Sequence, residues 1–119
     1  MKMVYVAGAM SSDNLPTMLQ NIRRGVKMGA KCLEAGFAPF VPHLDIFFQL
    51  MEGEELKAEK QDFYDYSMEI LTRCNYVVVC EKSENSYGTK KEIEKANELG
   101  IPVFNSFEEM LEHSKLGEY

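Results

Sequence analysis

The most strand-like segment of this 119-residue chain is Tyr-Val-Val-Val-Cys, at residues 76–80. It is apolar without interruption, which is typical of a central parallel strand that helices cover on both faces. Shorter apolar segments at residues 4–7, 37–41 and 101–104 also predict strands. Pro39 indicates that the second of these lies at an edge of the sheet, because proline cannot donate a ladder hydrogen bond.

A long helical pattern separates the first two strands. Its apolar residues recur at steps of three and four: Leu15, Leu19, Ile22, Val26, Ala30 and Leu33. This spacing predicts an amphipathic helix of about twenty residues. Pro16 suits its first turn, with Ser12 or Asp13 as the cap. Gly36 after it fits a left-handed helix terminus.

Three more helices are predicted, at residues 62–73, 89–99 and 107–113. Residues 42–61 are less regular, with a turn at 42–45, an apolar run and then a charge run from residue 52 to 60. A mobile, substrate-covering segment and a solvated short helix packed by its aromatic side chains are the two alternatives. The pattern favours the short helix.

Strands alternating with helices predict one domain over residues 1–119 with an α/β fold. We expect a three-layer Rossmann- or flavodoxin-like sandwich with a mainly parallel sheet of four or five strands. Ligands on such sheets bind at the carboxyl ends of the strands, where the strand order reverses. The residues that follow each strand are therefore the candidates for chemistry.

The net charge and the apolar runs of the chain limit the classes of partner that it can bind. The chain has 13 Lys+Arg against 19 Asp+Glu, a net charge of −6, which argues against a nucleic-acid polymer as the partner but leaves room for a local anion site. No apolar run approaches the ~20 residues that span a bilayer, and the start lacks the apolar core of a signal peptide. We expect a cytoplasmic protein with no membrane partner.

The three cysteines, Cys32, Cys74 and Cys80, are odd in number and form no Cys-x-x-Cys pair. We expect buried reduced thiols rather than a disulfide framework or a zinc site. No His, Asp and Glu cluster has ligand spacing, so no metal and no other cofactor is expected.

The loop after the first strand is Gly8-Ala9-Met10-Ser11-Ser12. It matches neither the dinucleotide fingerprint nor the nucleotide-triphosphate loop. Small residues at a helix start still offer backbone N–H groups and a positive dipole end to a phosphate or carboxylate. The alternative is that Gly8 only makes a tight turn and that Ser12 or Asp13 only caps the helix.

His43 and Asp45 follow the second strand. A histidine at a strand end can act as a general acid or base, although a lone loop histidine more often only packs beside its neighbours. After the third strand, Thr89 to Glu92 matches a capping box, which the pattern alone favours. The alternative is that the Glu92 carboxylate points into the cleft and attacks an electrophilic carbon.

Taken in order, these segments resemble the nucleoside 2-deoxyribosyltransferase-like superfamily, whose small members include proteins of phages and mobile elements. The matching pieces extend over nearly the whole chain: residues 4–10, Asn21, residues 36–43, Cys74 and Asn75 before the apolar strand, Ser86, Gly88, Glu92, Ala96 and residues 100–103. No piece is specific alone, but the ordered set is.

The resemblance implies that Glu92 is a nucleophile. It would attack the anomeric carbon of a nucleoside or nucleotide and form a glycosyl ester, which water or a second base resolves. Tyr5 matches an aromatic residue near the reacting sugar, and His43 and Asp65 complete the candidate catalytic set. The family also implies a homodimer or higher homo-oligomer, to which eight methionines and the apolar residues 46–48 add a weak hint.

Ser86, six positions before Glu92, bears on the substrate. Family members acting on free nucleosides tend to have Asp there, and members acting on nucleoside 5′-monophosphates tend to have Ser, whose hydroxyl donates to a phosphate. A (deoxy)nucleoside 5′-monophosphate is therefore the expected substrate. Its candidate binding residues are Gly8, Ala9, Met10, Ser11, Ser12, Asn21, Ser86, Gly88 and Thr89.

One position departs from the family. Many members carry Asp eight positions before the residue that enters the third strand, and here that position is Ser67. The general acid is therefore open among Asp62, Asp65, Glu69, His43 and Asp45, or absent. Three functions remain: hydrolysis or base transfer at an N-glycosidic bond, nucleotide binding or sensing without turnover, and a purely structural role for Glu92.

Overall fold

The computed structural model of the chain describes residues 1–51 and 56–116. Its centre is a four-stranded, all-parallel sheet in the order β2-β1-β3-β4. The strands are β1 (Met3–Ala7), β2 (Ala38–Phe40), β3 (Tyr76–Val79) and β4 (Val103–Phe104). The predicted parallel sheet is confirmed, with β3 in its interior and the proline-bearing β2 at one edge.

Helices connect and cover the strands: α1 (Leu15–Glu34), α2 (Lys60–Leu71), α3 (Tyr87–Glu98) and α4 (Phe107–Leu116). A 3₁₀ helix, Pro42–Met51, follows β2. The short helix favoured for this segment is therefore present, and the turn predicted at 42–45 is its first turn. Residues 52–55 of the charge run lie outside the described residues.

The two faces of the sheet carry different helices, because side chains alternate along each strand. Val4, Val6 and Val78 pack with Cys32 of α1 and Met110 of α4. On the other face, Tyr5, Ala7 and Val77 pack with Leu71 of α2 and Ala96 of α3. This arrangement confirms the three-layer α/β sandwich. The strand order reverses between β1 and β3, so their shared carboxyl end is where a ligand is expected.

The ends of α1 are held by local hydrogen bonds. Its N-cap is Asn14, whose side-chain oxygen accepts from the Thr17 N–H at 3.0 Å. The prediction of Ser12 or Asp13 as the cap was wrong by one or two residues. After the helix, Gly36 has φ +91°, which confirms the left-handed terminus.

The three cysteines are free and buried, as predicted. Burial raises the pKa of each thiol to about 11, so all three stay protonated at neutral pH. In the described part of the chain, no helix is both long and apolar enough to cross a membrane.

The packing of α1 departs from the usual amphipathic helix. The residues it buries are Asn21, Gly25, Gly29 and Cys32. A Cβ on Gly25 would lie 2.3 Å from the His43 ring, and a Cβ on Gly29 would lie 2.5 Å from Val41 Cγ2. These two glycines therefore let the backbone of α1 approach the chain that follows β2. The exposed side of α1 carries Leu15, Leu19, Val26 and Leu33.

Candidate active site

Tyr5 and Glu92 form the centre of the candidate site. Tyr5 lies in the middle of β1, is fully buried and faces the layer of α2 and α3. Its hydroxyl donates a hydrogen bond to Oε2 of Glu92, on the second turn of α3. The two residues are 87 positions apart, so only the fold brings them together.

Glu92 does not cap its helix. The N-cap of α3 is Ser86, whose Oγ accepts from the Thr89 N–H at 3.2 Å. The capping-box interpretation is therefore wrong, because the helix begins one residue after Ser86 and not after Thr89. The Glu92 side chain turns toward the sheet and pairs with Tyr5 instead.

Burial controls the protonation of this pair. It raises the pKa of Glu92 to about 7, and the hydrogen bond from Tyr5 partly opposes that rise. Burial first, and then the adjacent Glu92 charge, raise the pKa of Tyr5 far above its usual range. The proton of the pair therefore stays on the phenol, and the carboxyl of Glu92 changes its charge near neutral pH.

A second carboxyl with a raised pKa is bound to α2. Asp45, in the 3₁₀ helix, accepts a hydrogen bond from the Tyr66 hydroxyl of α2. Burial raises the pKa of Asp45, and the Tyr66 hydrogen bond opposes that rise. The charge of Asp45 is also the smallest of the causes that raise the pKa of Tyr5.

Ser67 belongs to the same group. It is a buried residue of α2, and its hydroxyl is the one neighbouring group that lowers the pKa of Tyr5. The departure from the family pattern is therefore inside the candidate site and not beside it. A hydroxyl at this place can orient the Tyr5 phenol but cannot supply a proton as a carboxyl does.

Aromatic rings form one wall of the group. The ring centroids of Tyr5 and Phe40 are 5.6 Å apart, those of Phe40 and Tyr66 are 6.0 Å apart, and Phe63 follows at 6.1 Å from Tyr66. These rings pack at tilted or edge-on angles, the arrangement that aromatic pairs prefer. They belong to the packing around the site, and burial is the first cause of the raised pKa of Glu92 and of Asp45.

His43 lies apart from Glu92, on the α1 side of the sheet. It is 2% exposed, and neither ring nitrogen has a hydrogen-bond partner in the described part of the chain. Its ring packs on Gly25, and its Nε2 would lie 3.2 Å from a Cβ placed on Gly8. Burial lowers the pKa of His43, so the ring is neutral at physiological pH.

Asp65 is not brought to this group. It is exposed on α2, and its carboxylate accepts from Gln61 Nε2 at 2.8 Å. Two residues along a helix rotate a side chain by about 200°, so Asp65 and the buried Ser67 point in nearly opposite directions. Its catalytic role stays a prediction that the geometry does not support.

The loop of residues 8–12 is fixed by three contacts. The Ala9 N–H donates to Ser83 Oγ at 3.0 Å, and Asn21 Nδ2 donates to the Met10 carbonyl at 3.3 Å. A Cβ on Gly8 would come within 2.9 Å of Cys80 Cβ, so Gly8 is required by close packing and not by a left-handed turn. No protein acceptor within the described ranges takes the N–H groups of residues 10–12.

The start of α3 lies next to this loop, because Ser83 joins the two. Thr89 is buried and donates its hydroxyl to Ser86 Oγ at 2.9 Å. Ser86 thus accepts twice and keeps its own proton free to donate outward. Gly88 is exposed, and a Cβ placed there would meet no atom within 4 Å.

The fold adds two residues that the sequence did not single out. Tyr66 holds Asp45, and Ser83 ties the loop after β1 to the chain after β3. Neither belongs to a local pattern, since each acts on a residue far away in the chain. The spacing of Tyr66 indicated only a helix face.

The comparisons with known proteins agree with the fold. The chain is similar in structure to a 2-deoxyribosyltransferase from the psychrotolerant bacterium Bacillus psychrosaccharolyticus, with a TM-score of 0.56 and 14% sequence identity over 85% of this chain and 69% of that one. This likeness shows a shared fold. No curated protein matches the chain. The model of a family described as a domain of unknown function (DUF7768) matches residues 2–106, and the chain therefore belongs to the DUF7768 family.

Proposed function

We propose that this protein cleaves the N-glycosidic bond of a ribo- or deoxyribonucleoside 5′-monophosphate, with Glu92 as the nucleophile. The observation that carries the proposal is the half-buried Glu92 carboxyl, held by Tyr5 where the strand order reverses. Burial raises the pKa of this carboxyl to about 7, and this lowers the stability of the folded protein at neutral pH. Carboxyls with such a raised pKa are typical of functional sites. The structural similarity to a 2-deoxyribosyltransferase supports the same chemistry.

In the first step, an ionised Glu92 oxygen bonds to the anomeric carbon of the sugar. The carbon–nitrogen bond breaks, and the base leaves with the bonding electron pair and takes up a proton. In the second step, water or another base attacks the same carbon and releases Glu92. The Tyr5 hydroxyl positions the carboxylate throughout, because its own pKa keeps the phenol protonated.

Asp45 is the best-placed proton source for the leaving base. Its raised pKa keeps a larger fraction of the carboxyl protonated than in an exposed aspartate, and Tyr66 fixes its orientation. Among the acid candidates, Asp65 is exposed, and His43 packs against α1. The assignment of Asp45 rests on its raised pKa and on the hydrogen bond from Tyr66, whose ring packs on Phe40 and through it beside Tyr5.

The substrate phosphate fits the loop of residues 8–12 together with Ser86. The free N–H groups of the loop and the outward hydroxyl of Ser86 are donors that a phosphate dianion requires. Ser86 and Glu92 are separated by about 9 Å along the helix axis, and long helical side chains lean toward the N-terminus, which shortens that gap. A nucleotide can therefore contact both residues.

Three further expectations belong to the proposal. The family resemblance implies a homo-oligomer, and the sequence pattern leads us to expect a cytoplasmic setting and no cofactor. A second function is favoured by Ser67: with a hydroxyl where many relatives carry Asp, the site would bind or sense a nucleotide without turnover. One assay distinguishes the two functions.

That assay incubates the purified protein with a panel of ribo- and deoxyribonucleoside 5′-monophosphates, with and without an acceptor base, and measures free base by chromatography. We expect release by the native protein and at least a thousandfold loss in Glu92→Gln, since the amide cannot form the ester. Glu98→Gln, an exposed position on the same helix, is the matched control. No release by the native protein, combined with thermal stabilisation by a nucleotide, would favour the binding function.

The phosphate assignment has its own test in Ser86→Asp. Aspartate retains the helix cap, so folding should be preserved, but its charge repels a phosphate. Turnover of a nucleoside 5′-monophosphate should fall at least tenfold relative to that of the free nucleoside. An equal effect on both substrates would show that Ser86 does not contact the phosphate.

A further inference from the structure

The basic residues of α1 are concentrated on one face of the helix. The helix carries four basic residues and one acidic residue, a net charge of +3, in a chain whose net charge is −6. The rest of the chain therefore carries a net charge of −9, which is −6 minus +3. Arg24, Lys27 and Lys31 are three and four positions apart, so they share one face, and we call them the basic row.

The basic row lowers the stability of α1, because like charges three or four positions apart repel each other. On α2 and α3 a cation is paired with an acid instead: Arg73 lies 3.0 Å from Glu69, and Lys91 lies 3.8 Å from Glu94. Among the residues that the structure describes, no carboxylate oxygen lies within 4.0 Å of a charged nitrogen of the basic row. A bound anion would remove this repulsion.

The basic row lines a cavity of about 130 Å³ between α1 and the chain that follows β3. Met28 lies on the same wall, and Cys80 and Glu81 form the opposite one. The Cys80 N–H donates to the Ala7 carbonyl at 2.8 Å, so the cavity lies at the carboxyl end of β1 and β3. Such a volume holds several water molecules or a small anion.

The cavity lies on the opposite face of the sheet from Glu92. Cys80 belongs to the core cluster under α1 and α4, whereas Tyr5, which holds Glu92, belongs to the cluster under α2 and α3. The phosphate of the proposed substrate is expected at residues 8–12 and Ser86, none of which lines the cavity. The cavity is therefore separate from the candidate active site.

We propose that this cavity binds a diphosphate group, either as free inorganic diphosphate or as part of a nucleotide. Arg24 and Lys31 are seven residues apart, which is about 10 Å along the helix axis, and Lys27 lies between them. Two linked phosphates match this length better than one, because each can meet a different cation of the row. Arginine and lysine are also the side chains that bind phosphate groups most strongly.

Two further features of the lining fit a small anion. Arg24 donates to the side chain of Asn21, so its guanidinium is held in place before a ligand binds. The three cations of the basic row and the Glu81 carboxylate give the described lining a net charge of +2. A long polyanion would extend past the cavity and meet the acidic remainder of the chain, whereas a diphosphate would not.

The cavity is joined to the loop of residues 8–12. Asn21, which accepts from Arg24, donates its Nδ2 to the Met10 carbonyl at 3.3 Å. A diphosphate on Arg24 would therefore act on the loop through these two hydrogen bonds. Any effect on turnover rests on the proposed function, whereas the binding itself does not.

The test is isothermal titration calorimetry of the native protein with inorganic diphosphate, in about 150 mM salt, where the Debye length is about 8 Å. We expect binding that is about tenfold or more tighter than that of inorganic phosphate. Lys27→Gln should weaken it by about tenfold or more, since it removes a charge-assisted hydrogen bond. Lys27 is exposed, and Gln has nearly the helix propensity of Lys, so this variant should fold.

Arg23→Gln is the matched control, because Arg23 is on α1 beside Arg24 but does not line the cavity. It removes the same charge and should weaken binding by less than about threefold. Glu81→Gln should act in the opposite direction and tighten binding by about threefold or more, because it removes a negative charge from the lining. Glu84→Gln, an exposed carboxylate of the same loop, should change the affinity by less than about twofold.

Ser86→Asp separates the cavity from the candidate active site. Its charge repels an anion from the loop of residues 8–12, but it should leave the binding of inorganic diphosphate in place. No binding by the native protein, loss of binding in Ser86→Asp, equal affinities for phosphate and diphosphate, or equal effects of Lys27→Gln and Arg23→Gln would each overturn the proposal. Tighter binding of a single-stranded oligonucleotide than of diphosphate would also overturn it.

A parallel titration with adenosine diphosphate distinguishes the two sources of the group. If it binds more tightly than inorganic diphosphate and is weakened equally by Lys27→Gln, the result supports a nucleotide in the cavity. If it binds less tightly, the result supports free diphosphate. None of these readouts depends on enzymatic turnover, so the diphosphate site and the proposed function fail independently.

Discussion

At the scale of single residues, Glu92 shows how burial and chemistry are linked. Its side chain is half-buried, and its carboxyl receives one hydrogen bond, from Tyr5. Ionising it in the folded protein is therefore harder than in the unfolded chain, which is why its pKa rises from 4.5 to about 7. A carboxylate that is poorly solvated is also a better nucleophile, so the same cost supports the proposed reaction.

The raised pKa of Glu92 predicts how the free energy of unfolding changes with pH. The folded state binds the Glu92 proton more tightly than the unfolded chain does, and this binding stabilises the folded state. The stabilisation is fully present below pH 4.5 and is lost as the pH rises through about 7. Glu92→Gln keeps an acceptor for Tyr5 and removes the ionisation. It should raise the free energy of unfolding at pH 8 by up to about 3 kcal/mol and have little effect at pH 4.

Urea unfolding at several pH values measures this difference. Glu98→Gln serves again as the control, since that side chain is exposed on the same helix, and its effect should be within about 0.5 kcal/mol at every pH. A Glu92→Gln variant that is less stable than the native protein at pH 8 would contradict the assignment of a buried, strained carboxyl.

At the scale of elements, α1 decides how closely the chain after β2 approaches the sheet. Gly25 lies directly under the His43 ring, and Gly29 lies under Val41. A larger residue at either place would push the 3₁₀ helix outward, and Asp45 would move with it. The two glycines are therefore required by packing, although they lower the intrinsic helix propensity of α1.

Gly25→Ala should destabilise the protein by about 1–3 kcal/mol, because the new Cβ would lie 2.3 Å from the ring of a fully packed histidine. Gly88→Ala is the contrasting substitution: the position is helical, has no positive φ and has open space around it. It should be neutral or stabilise by roughly 0.5–1 kcal/mol. Thermal or urea unfolding measures both, and equal effects would show that His43 does not pack on Gly25 as described.

At the scale of the whole molecule, the two sides of the sheet carry different kinds of side chain. The α2 and α3 layer holds Glu92 and Tyr66, and Asp45 reaches Tyr66 from the 3₁₀ helix. On the other side, α1 with the β2 edge carries the exposed apolar surface. If that surface is covered by a second copy, the folded state is linked to protein concentration by mass action. The melting temperature should then rise by several degrees between 1 and 100 µM, as expected for a domain of this size.

Differential scanning calorimetry over that range measures the shift. A Leu33→Lys variant, which places a charge on the exposed apolar side of α1, provides the comparison. If it is a monomer, its melting temperature should not depend on protein concentration. A native melting temperature that stays constant over a hundredfold range of concentration would contradict a dimer in this regime.

The sequence by itself determined the order of the strands and helices along the chain, the parallel sheet, the edge position of β2 and the left-handed end of α1 at Gly36. These features depend on local periodicity and on the restricted backbone of glycine and proline, which a pattern records directly. It also selected Tyr5 and Glu92, through the family resemblance. Their separation of 87 positions left no local signal that they touch.

Only the tertiary structure decided which face of α1 is buried, that Ser86 and not Thr89 caps α3, and that Tyr66 holds Asp45 whereas Asp65 is exposed. Each of these depends on which atoms meet across the fold. A stripe of leucines specifies an apolar face but not what covers it, and a threonine three residues before a glutamate fits a cap only if the helix begins there. Packing against distant segments made both choices.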